Sequence, residues 1–223
     1  MSECSTATTQ PLVQCLSHHA VAADCLSVLR NRTTPPMIFR QTVHRLGLIL
    51  MAEATRNLPT APQSVATPLE TTTCDAINPA TEIWLVPILR AGLALTEAAI
   101  ALLPQARVFH LGMYRNEETL EAVSYYNKLP KPAQPQHVRV IILDPMLATG
   151  GSAVSAVEQL LLKGIPQENV QMVSVLAAPE GINTLQTAYP QVSLVTAAID
   201  RQLNEVGYII PGLGDAGDRV FGT

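Results

Sequence analysis

The sequence contains few charged residues and few aromatic ones. Only 14% of its 223 residues are Asp, Glu, Lys or Arg, and only 4% are Phe, Trp or Tyr, so the core must be mainly aliphatic. The formal net charge is -4 and no basic run occurs, which argues against a nucleic-acid partner. No apolar stretch is long enough to span a bilayer, so we expect no membrane partner either.

The sequence also lacks the Cys and His spacings of metal sites. The four cysteines show no CxxC pattern, and we interpret them as free thiols of a reducing cytoplasm. The histidines show no metal-ligand spacing, so no protein-held metal is predicted. The residues concerned are Cys4, Cys15, Cys25, Cys74, His18, His19, His44, His110 and His137.

The N-terminal stretch MSECSTATTQ lacks the basic and apolar regions of a secretory signal, which also favours a cytoplasmic protein. The length and the 48% hydrophobic content are enough for one domain over residues 1–223, with the polar residues 1–20 as a flexible N-terminal segment. The low charge density favours burial of some surface in an oligomer.

From residue 83 onward, apolar strands alternate with helical patterns. This alternation predicts right-handed crossovers and a parallel sheet with flanking helices, and hence an α/β fold. The predicted strands cover residues 83–88, 108–111, 138–143, 170–177 and 192–198, and the predicted helices cover 93–103, 153–161 and 182–188. Pro87 lies within the first strand, and we expect the ladder to end there because proline has no N–H to donate.

Two helices and a less regular stretch precede this alternation. Residues 21–29 show short helical periodicity. A longer helix is predicted from Thr34 as its N-cap, with Pro35 in the first turn, to about Asn57. Residues 58–81 contain several Pro and Thr with little apolar periodicity, which indicates loop or edge-strand structure.

The most informative stretch is VRVIILDPMLATGGS, residues 138–152. Its apolar run predicts a strand that is buried on both faces, and Asp144 follows at the carboxyl end, where open α/β sheets bind ligands. The loop from Ala148 to Ser152 then opens a helix, so its N–H groups and hydroxyls can bind a phosphate. The alternative is an ordinary strand-loop-helix turn with a solvent-facing acid. No Gly-Lys-Ser/Thr follows, so this is not a Walker loop.

Two other segments carry arginines in loops. Arg90 follows the first strand and is followed by the small residues Ala91 and Gly92, where a guanidinium and a backbone N–H could approach one anion. A plain surface arginine is the alternative, and spacing does not decide between them.

Residues 112–130 form a polar insertion that contains Arg115 and is longer than a tight turn requires. The alternative to a functional insertion is a solvated hairpin, and we prefer this interpretation for the acidic residues Glu117, Glu118 and Glu121.

The tail from Gly207 to Asp218 contains too many glycines to be predicted as a helix. Fixed backbone N–H and C=O groups in such a loop can recognise the edge of a flat, uncharged base. The alternative is a glycine-rich turn without function.

Four segments together resemble the uracil phosphoribosyltransferase family, over about residues 84–223. They are VPILRAGL, GMYRNEETLE, DPMLATGGS and YIIPGLGDAGDRVFGT. The resemblance implies a parallel-sheet phosphoribosyltransferase-type fold with an inserted β-arm and a C-terminal base-binding loop region. It also implies transfer of the 5-phosphoribosyl group of 5-phospho-α-D-ribose 1-diphosphate (PRPP) to N1 of uracil, giving UMP and diphosphate. One departure is Ala52, where relatives usually carry an aromatic residue.

The resemblance also implies the site residues. The catalytic residues are Arg90, Arg115 and Asp215. The PRPP-binding residues are Arg90, Arg115, Asp144, Pro145, Met146, Leu147, Ala148, Thr149, Gly150, Gly151, Ser152 and Asp215. The uracil-binding residues are Tyr208, Ile209, Gly214, Asp215 and Ala216. It further implies Mg²⁺ held mainly by PRPP and water, a GTP effector, and a homodimer or homotetramer.

Two rival functions stay open at this point. One is a phosphoribosyltransferase for another base, against which the GLGDAGD run argues by its resemblance to the uracil branch. The other is a non-catalytic regulator that binds PRPP or a nucleotide and controls RNA or a partner enzyme. A regulator that binds RNA would need a basic face, which the net charge of -4 does not indicate.

Overall fold

The computed structural model describes residues 12–115 and 122–223. The helices are α1 (Ala20–Arg30), α2 (Pro36–Ala54), α3 (Leu93–Leu102), α4 (Gly151–Leu161), α5 (Pro179–Ala188) and α6 (Ala216–Phe221). The strands are β1 (Val13–Cys15), β2 (Thr60–Ala66), β3 (Thr71–Ile77), β4 (Glu82–Leu89), β5 (Arg107–Val108), β6 (Leu111–Arg115), β7 (Ala122–Asn127), β8 (Val138–Leu143), β9 (Met146–Leu147), β10 (Val170–Ala177), β11 (Ser193–Ile199), β12 (Gln202–Leu203) and β13 (Ile209–Ile210).

The main sheet confirms the predicted parallel α/β fold. Its strand order is β1-β11-β10-β8-β4-β6-β7, with β5 beside β4 and β9 beside β10. Every pairing in it is parallel except that of β6 with β7, which is antiparallel. This antiparallel pair is the inserted β-arm that the resemblance implies.

Helices cover both faces of this sheet, which explains the continuous apolar runs in its central strands. One core cluster joins the sheet to α1, α2, α3 and α6, and includes Leu29, Leu46, Leu95 and Val220. The other joins it to α4 and α5, and includes Leu160 and Leu185. No helix in the described ranges is both long enough and apolar enough to cross a bilayer.

The expectation of a flexible segment over residues 1–20 is wrong for its second half. Residues 13–15 form β1, which pairs in parallel with β11 at the edge of the sheet, and the N–H of Leu194 donates to the carbonyl of Leu12 at 2.7 Å. Three strand residues are too few to show periodicity. Backbone pairing with β11 therefore holds a segment that the side-chain pattern does not mark. Residues 1–11 lie outside the described ranges.

Two local predictions about caps and ladders are also wrong. The N-cap of α2 is Pro35, and the hydroxyl of Thr34 instead donates to the carbonyl of Val28 at 2.7 Å. The helix ends at Ala54 and not near residue 57. Pro87 does not end its strand, because β4 continues to Leu89 by pairing with β6 on its other side.

Three stretches of the chain form other elements than the sequence predicts. The strand predicted over 108–111 is divided between β5 and β6, which pair with successive parts of β4. The prediction that the tail forms no helix is wrong for its last residues, because α6 begins at Ala216, just after the left-handed Gly214. Residues 58–81 are mostly a hairpin, in which β2 and β3 pair antiparallel with each other and with no other described strand.

Candidate active site

Three strands of the main sheet end at the same edge and are each followed at once by a charged residue. Arg90 follows β4, Asp144 follows β8, and Asp200 follows β11. Because these strands run parallel, their carboxyl ends share one edge, which is where open α/β sheets bind ligands. We refer to this edge as the carboxyl edge.

The loop after β8 leads directly into the N-terminus of α4. Gly150 is the N-cap and has a left-handed φ of 87°, and no side chain caps the first N–H groups of the helix. A Cβ on Gly150 would lie 2.9 Å from the carbonyl oxygen of Gly181, so the turn is also packed too closely for a side chain. Uncapped N–H groups and the helix dipole together favour an anion at this point.

Not every residue of this predicted phosphate loop is free to bind PRPP. Pro145 and Leu147 are buried, and their carbonyls accept hydrogen bonds from the backbone of β10 and of the residue after it. Met146 and Leu147 form the short strand β9 beside β10. The arrangement thus leaves the stretch from Ala148 to Ser152 as the part that faces the helix terminus.

Asp144 is a half-buried carboxylate beside a second acid. Its pKa is raised to about 7, mainly by burial and to a smaller extent by the negative charge of Asp215, while a hydrogen bond from the N–H of Met146 at 3.4 Å opposes the shift. In the free protein, Asp144 is therefore near its midpoint of ionisation at neutral pH. The tail that carries Asp215 thus lies close enough for its charge to act on Asp144.

The loop that carries Arg90 packs tightly against the end of β8. Its Leu89–Arg90 peptide bond is cis, and a Cβ on Gly92 would lie 2.3 Å from the carbonyl oxygen of Leu143. The guanidinium of Arg90 lies 3.1 Å from the carboxylate of Asp218, and both side chains are about half exposed. An ion pair this exposed contributes little stability, so an anionic ligand can compete for Arg90.

The tail approaches the same place through tight turns. After β13 come a cis Ile210–Pro211 bond and two left-handed glycines, Gly212 and Gly214. Asp215 is then the N-cap of α6 and accepts a hydrogen bond from the N–H of Asp218 at 2.9 Å. A Cβ on Gly217 would lie 3.8 Å from that of Ala91, so the tail and the Arg90 loop are neighbours.

The structure thus brings most of the predicted site residues to the carboxyl edge: Arg90, Asp144, the loop 148–152 and the tail with Asp215 and Ala216. Tyr208 is half exposed, and Ile209 is buried in β13. Arg115 is the last residue of β6 in the β-arm. The arm residues Asn116, Glu117, Glu118 and Glu121 lie outside the described residues.

Three charged residues at this edge were missed by the sequence reasoning. Arg30 and Asp200 form a nearly buried ion pair that also bonds to Gly212. Arg219 donates to the carbonyls of Leu213 at 2.8 Å and Asn31 at 2.6 Å. Asp200 could have been found, because it lies two residues after the strand predicted over 192–198, whereas Arg30 and Arg219 carry no signal in the sequence.

The described residues contain no group of three or more His, Cys, Asp or Glu side chains that could hold a metal ion. The carboxylates at the carboxyl edge are Asp144 and Asp215, together with Asp200 and Asp218, which are paired with arginines.

Comparison with known proteins adds sequence relatives over most of the chain. A family model described as uracil phosphoribosyltransferase matches residues 16–223. The uracil phosphoribosyltransferase of Nostoc sp. is 49% identical over 206 residues, which cover 92% of this chain and 95% of that protein. That of Dictyoglomus turgidum is 45% identical over 205 residues, which cover 92% of this chain and 97% of that protein.

Two solved structures show the same fold. The AQ2163 protein of Aquifex aeolicus superposes with a TM-score of 0.86 at 38% identity, covering 94% of this chain and 97% of that one. The adenine phosphoribosyl transferase of Trypanosoma brucei, in complex with AMP, pyrophosphate and ribose-5-phosphate, superposes with a TM-score of 0.52 at 12% identity. That comparison covers 86% of this chain and 85% of that one, and it supports the fold alone.

Proposed function

The chain belongs to the uracil phosphoribosyltransferase family, and from that premise we propose how residues of the carboxyl edge divide the work of its reaction. The enzyme transfers the 5-phosphoribosyl group of PRPP to N1 of uracil, giving UMP and diphosphate. The bond from ribose C1 to the diphosphate oxygen breaks, the C1–N1 bond forms, and N1 loses its proton. The observation that carries the assignment is the convergence of the Arg90 loop, the loop 144–152 and the tail at one edge.

The 5-phosphate binds at the N-terminus of α4 in this proposal. Its charge is stabilised by the uncapped N–H groups and the dipole of the helix, and by the hydroxyls of Thr149 and Ser152. Asp144 lies at the start of the same loop, where its ionised carboxylate can accept hydrogen bonds from the ribose hydroxyls. These contacts fix the position of C1 relative to the base, which is the positioning part of catalysis.

Arg90 and Arg115 stabilise the diphosphate as negative charge develops on the leaving oxygen. The support for Arg90 is its place at the carboxyl edge and its exposed, readily exchanged partner Asp218. For Arg115 the support is the resemblance of the arm sequence GMYRNEETLE to the family. Asp215, whose charge acts on Asp144, is our candidate for the group that orients uracil or receives the N1 proton.

Uracil is recognised by the tail, through the backbone groups of Ile209 and residues 214–216, with Tyr208 beside them. The left-handed Gly214 and the N-cap Asp215 hold this backbone in a fixed shape. An uncharged, planar base requires fixed N–H and C=O groups more than charged side chains.

Mg²⁺ belongs to the same proposal. The nearby carboxylates Asp144 and Asp215 fit a cation that is bound mainly through PRPP oxygens and water. When bound, the ion would neutralise diphosphate charge that a protein with a net charge of -4 cannot offset alone.

Four further features are also proposed. Residues 1–223 act as one domain, and the free thiols of Cys15 and Cys25 support a reducing, cytoplasmic location. A homodimer or homotetramer is supported by exposed apolar side chains, among them Leu69, Ile100 and Phe221. GTP as an effector rests on the family resemblance alone.

The direct test is conversion of labelled uracil to UMP by the purified protein. Uracil is compared with cytosine, orotate and hypoxanthine, each with and without PRPP and Mg²⁺. We expect UMP only when PRPP and the metal are both present, and no product from the other bases. UMP formation after removal of the metal by a chelator would refute the magnesium proposal. Absence of product from every base would refute the assigned activity.

A further inference from the structure

A nearly buried ion pair lies behind the tail that we assign to uracil. Arg30 is the last residue of α1, and Asp200 directly follows β11. Their side chains meet through two hydrogen bonds, from Nη2 to Oδ1 at 2.6 Å and from Nη1 to Oδ2 at 2.8 Å. The side chain of Asp200 is only 5% exposed and that of Arg30 is 28% exposed.

The same pair binds both backbone groups of Gly212. The N–H of Gly212 donates to Oδ2 of Asp200 at 2.9 Å, and Nη1 of Arg30 donates to the carbonyl of Gly212 at 2.8 Å. Gly212 is buried and left-handed, and a Cβ there would lie 2.2 Å from the carbonyl oxygen of Ile209. Two charge-assisted hydrogen bonds thus hold the backbone of Gly212, and two more join Arg30 to Asp200.

The position of Gly212 gives this arrangement a consequence for the site. It lies three residues after Ile209 and two residues before Gly214, so it separates the two groups of backbone atoms that we assign to uracil. The backbone of Asp200 is itself fixed to the sheet, because its N–H donates to the carbonyl of Ala177 at 2.8 Å. The ion pair therefore fixes the base-binding loop in position relative to the sheet.

The charge balance also suits an uncharged base. The guanidinium of Arg30 neutralises the carboxylate of Asp200 within a bidentate pair, so the loop presents its own N–H and C=O groups and not a buried net charge. The end of α1 contributes again through the carbonyls of Leu29 and Asn31, which both accept hydrogen bonds from Arg219 of α6.

We propose that Arg30 and Asp200 are positioning residues for uracil: they hold the tail in the shape that recognises the base and do not contact the PRPP subsite. The proposal rests on the assignment of uracil to Ile209 and residues 214–216. It predicts that loss of either partner weakens the use of uracil much more than the use of PRPP.

The test is a steady-state comparison of R30Q, R30K, D200N and the double variant R30Q/D200N with the wild type. We expect the KM for uracil to rise about tenfold or more in R30Q and D200N, the size expected for losing charge-assisted hydrogen bonds, while the KM for PRPP changes less than about twofold. R30K should lie between R30Q and the wild type, because lysine keeps the charge but cannot donate in a fork. In the double variant the KM for uracil should rise no more than in the worse single variant, because each single substitution already breaks the ion pair between Arg30 and Asp200.

The matched control is R56Q, which removes an ion pair between the exposed Arg56 and the largely buried Glu53 near the end of α2, away from the tail. It should leave both KM values unchanged. Circular dichroism and thermal melting establish that each variant is folded, and R30K serves as the mildest variant should the others not fold. Equal changes in the two KM values, or a fall in kcat with an unchanged KM for uracil, would overturn the positioning role. A wild-type enzyme that forms no UMP would instead refute the assigned activity.

Discussion

The ionisation of Asp144 makes the use of PRPP depend on pH. Burial raises the pKa of this carboxyl from its ordinary value to about 7, so the group gains its charge only as the pH rises through neutrality. Because ionisation occurs at lower pH in the unfolded chain, Asp144 also makes folding less favourable as the pH rises from about 4 to about 7. The site retains a carboxylate whose charge is costly until a ligand stabilises it.

We predict that the affinity for PRPP rises about tenfold between pH 6 and pH 8, because the ionised fraction of a group with a pKa near 7 changes by about that factor. The measurement is calorimetric titration with PRPP across this range. D144N should bind PRPP more weakly and should lack this part of the pH dependence. The ionisation of PRPP itself is common to both proteins, so parallel pH profiles would remove Asp144 from its role.

Arg115 is assigned to the leaving diphosphate from the arm sequence. We predict that R115A lowers kcat about a hundredfold or more, the loss seen when one donor to a developing negative charge is removed. The melting temperature should stay close to that of the wild type. The control is K128A, which removes an exposed cation of the same arm that lies over the ring of Tyr126. Near-normal turnover by R115A would exclude the assigned role.

Residue-level prediction from the sequence succeeded where a charged residue followed a recognisable strand. Asp144 and Arg90 both lie directly after long apolar runs, so their place at the carboxyl edge could be derived. Arg30 could not be found in this way, because its importance depends on a contact with Asp200, 170 residues away in sequence. Such a contact exists only after α1 has packed against the sheet.

At the scale of elements, the glycine turn before α4 is the feature on which phosphate binding depends. We predict that G150A destabilises the protein by more than about 1–2 kcal/mol, because its φ is left-handed and a Cβ would lie 2.9 Å from the carbonyl oxygen of Gly181. We also predict that it weakens PRPP binding. The matched control is G164A, whose φ of 88° is equally unfavourable but which lies beyond the other end of α4. G164A should lose less stability, because a Cβ there would meet only the ring of Pro135, at 3.3 Å, and it should keep its PRPP affinity. Equal PRPP affinities in both would contradict the phosphate site.

The elements that the sequence predicted well are those with strong periodicity. Strands β8 and β10 were predicted with their observed bounds, because both faces of each are buried and the apolar run is unbroken. Strand β1 was missed because it is short and stabilised by backbone pairing with β11. The hairpin of β2 and β3 was not resolved because its residues are mostly exposed, which removes the alternation that marks a half-buried strand.

At the scale of the whole molecule, the parallel sheet determines where the site can form. The loops after β4, β8 and β11 meet because these parallel strands end at one edge, and the tail joins them there after the separate pair of β12 and β13. The two helical layers hold that edge rigid, and the carboxyl end of α1 reaches it through Arg30. The central claim is that this one edge binds the ribose phosphate and the base together.

The crystal structure of the protein with UMP bound tests this claim most directly. We predict that the 5-phosphate accepts hydrogen bonds from the backbone N–H groups of residues 148–152, and that the ribose hydroxyls bond to Asp144. The uracil ring should lie against Ile209 and residues 214–216. UMP bound away from the carboxyl edge, or bound there with its base outside the tail, would contradict the account.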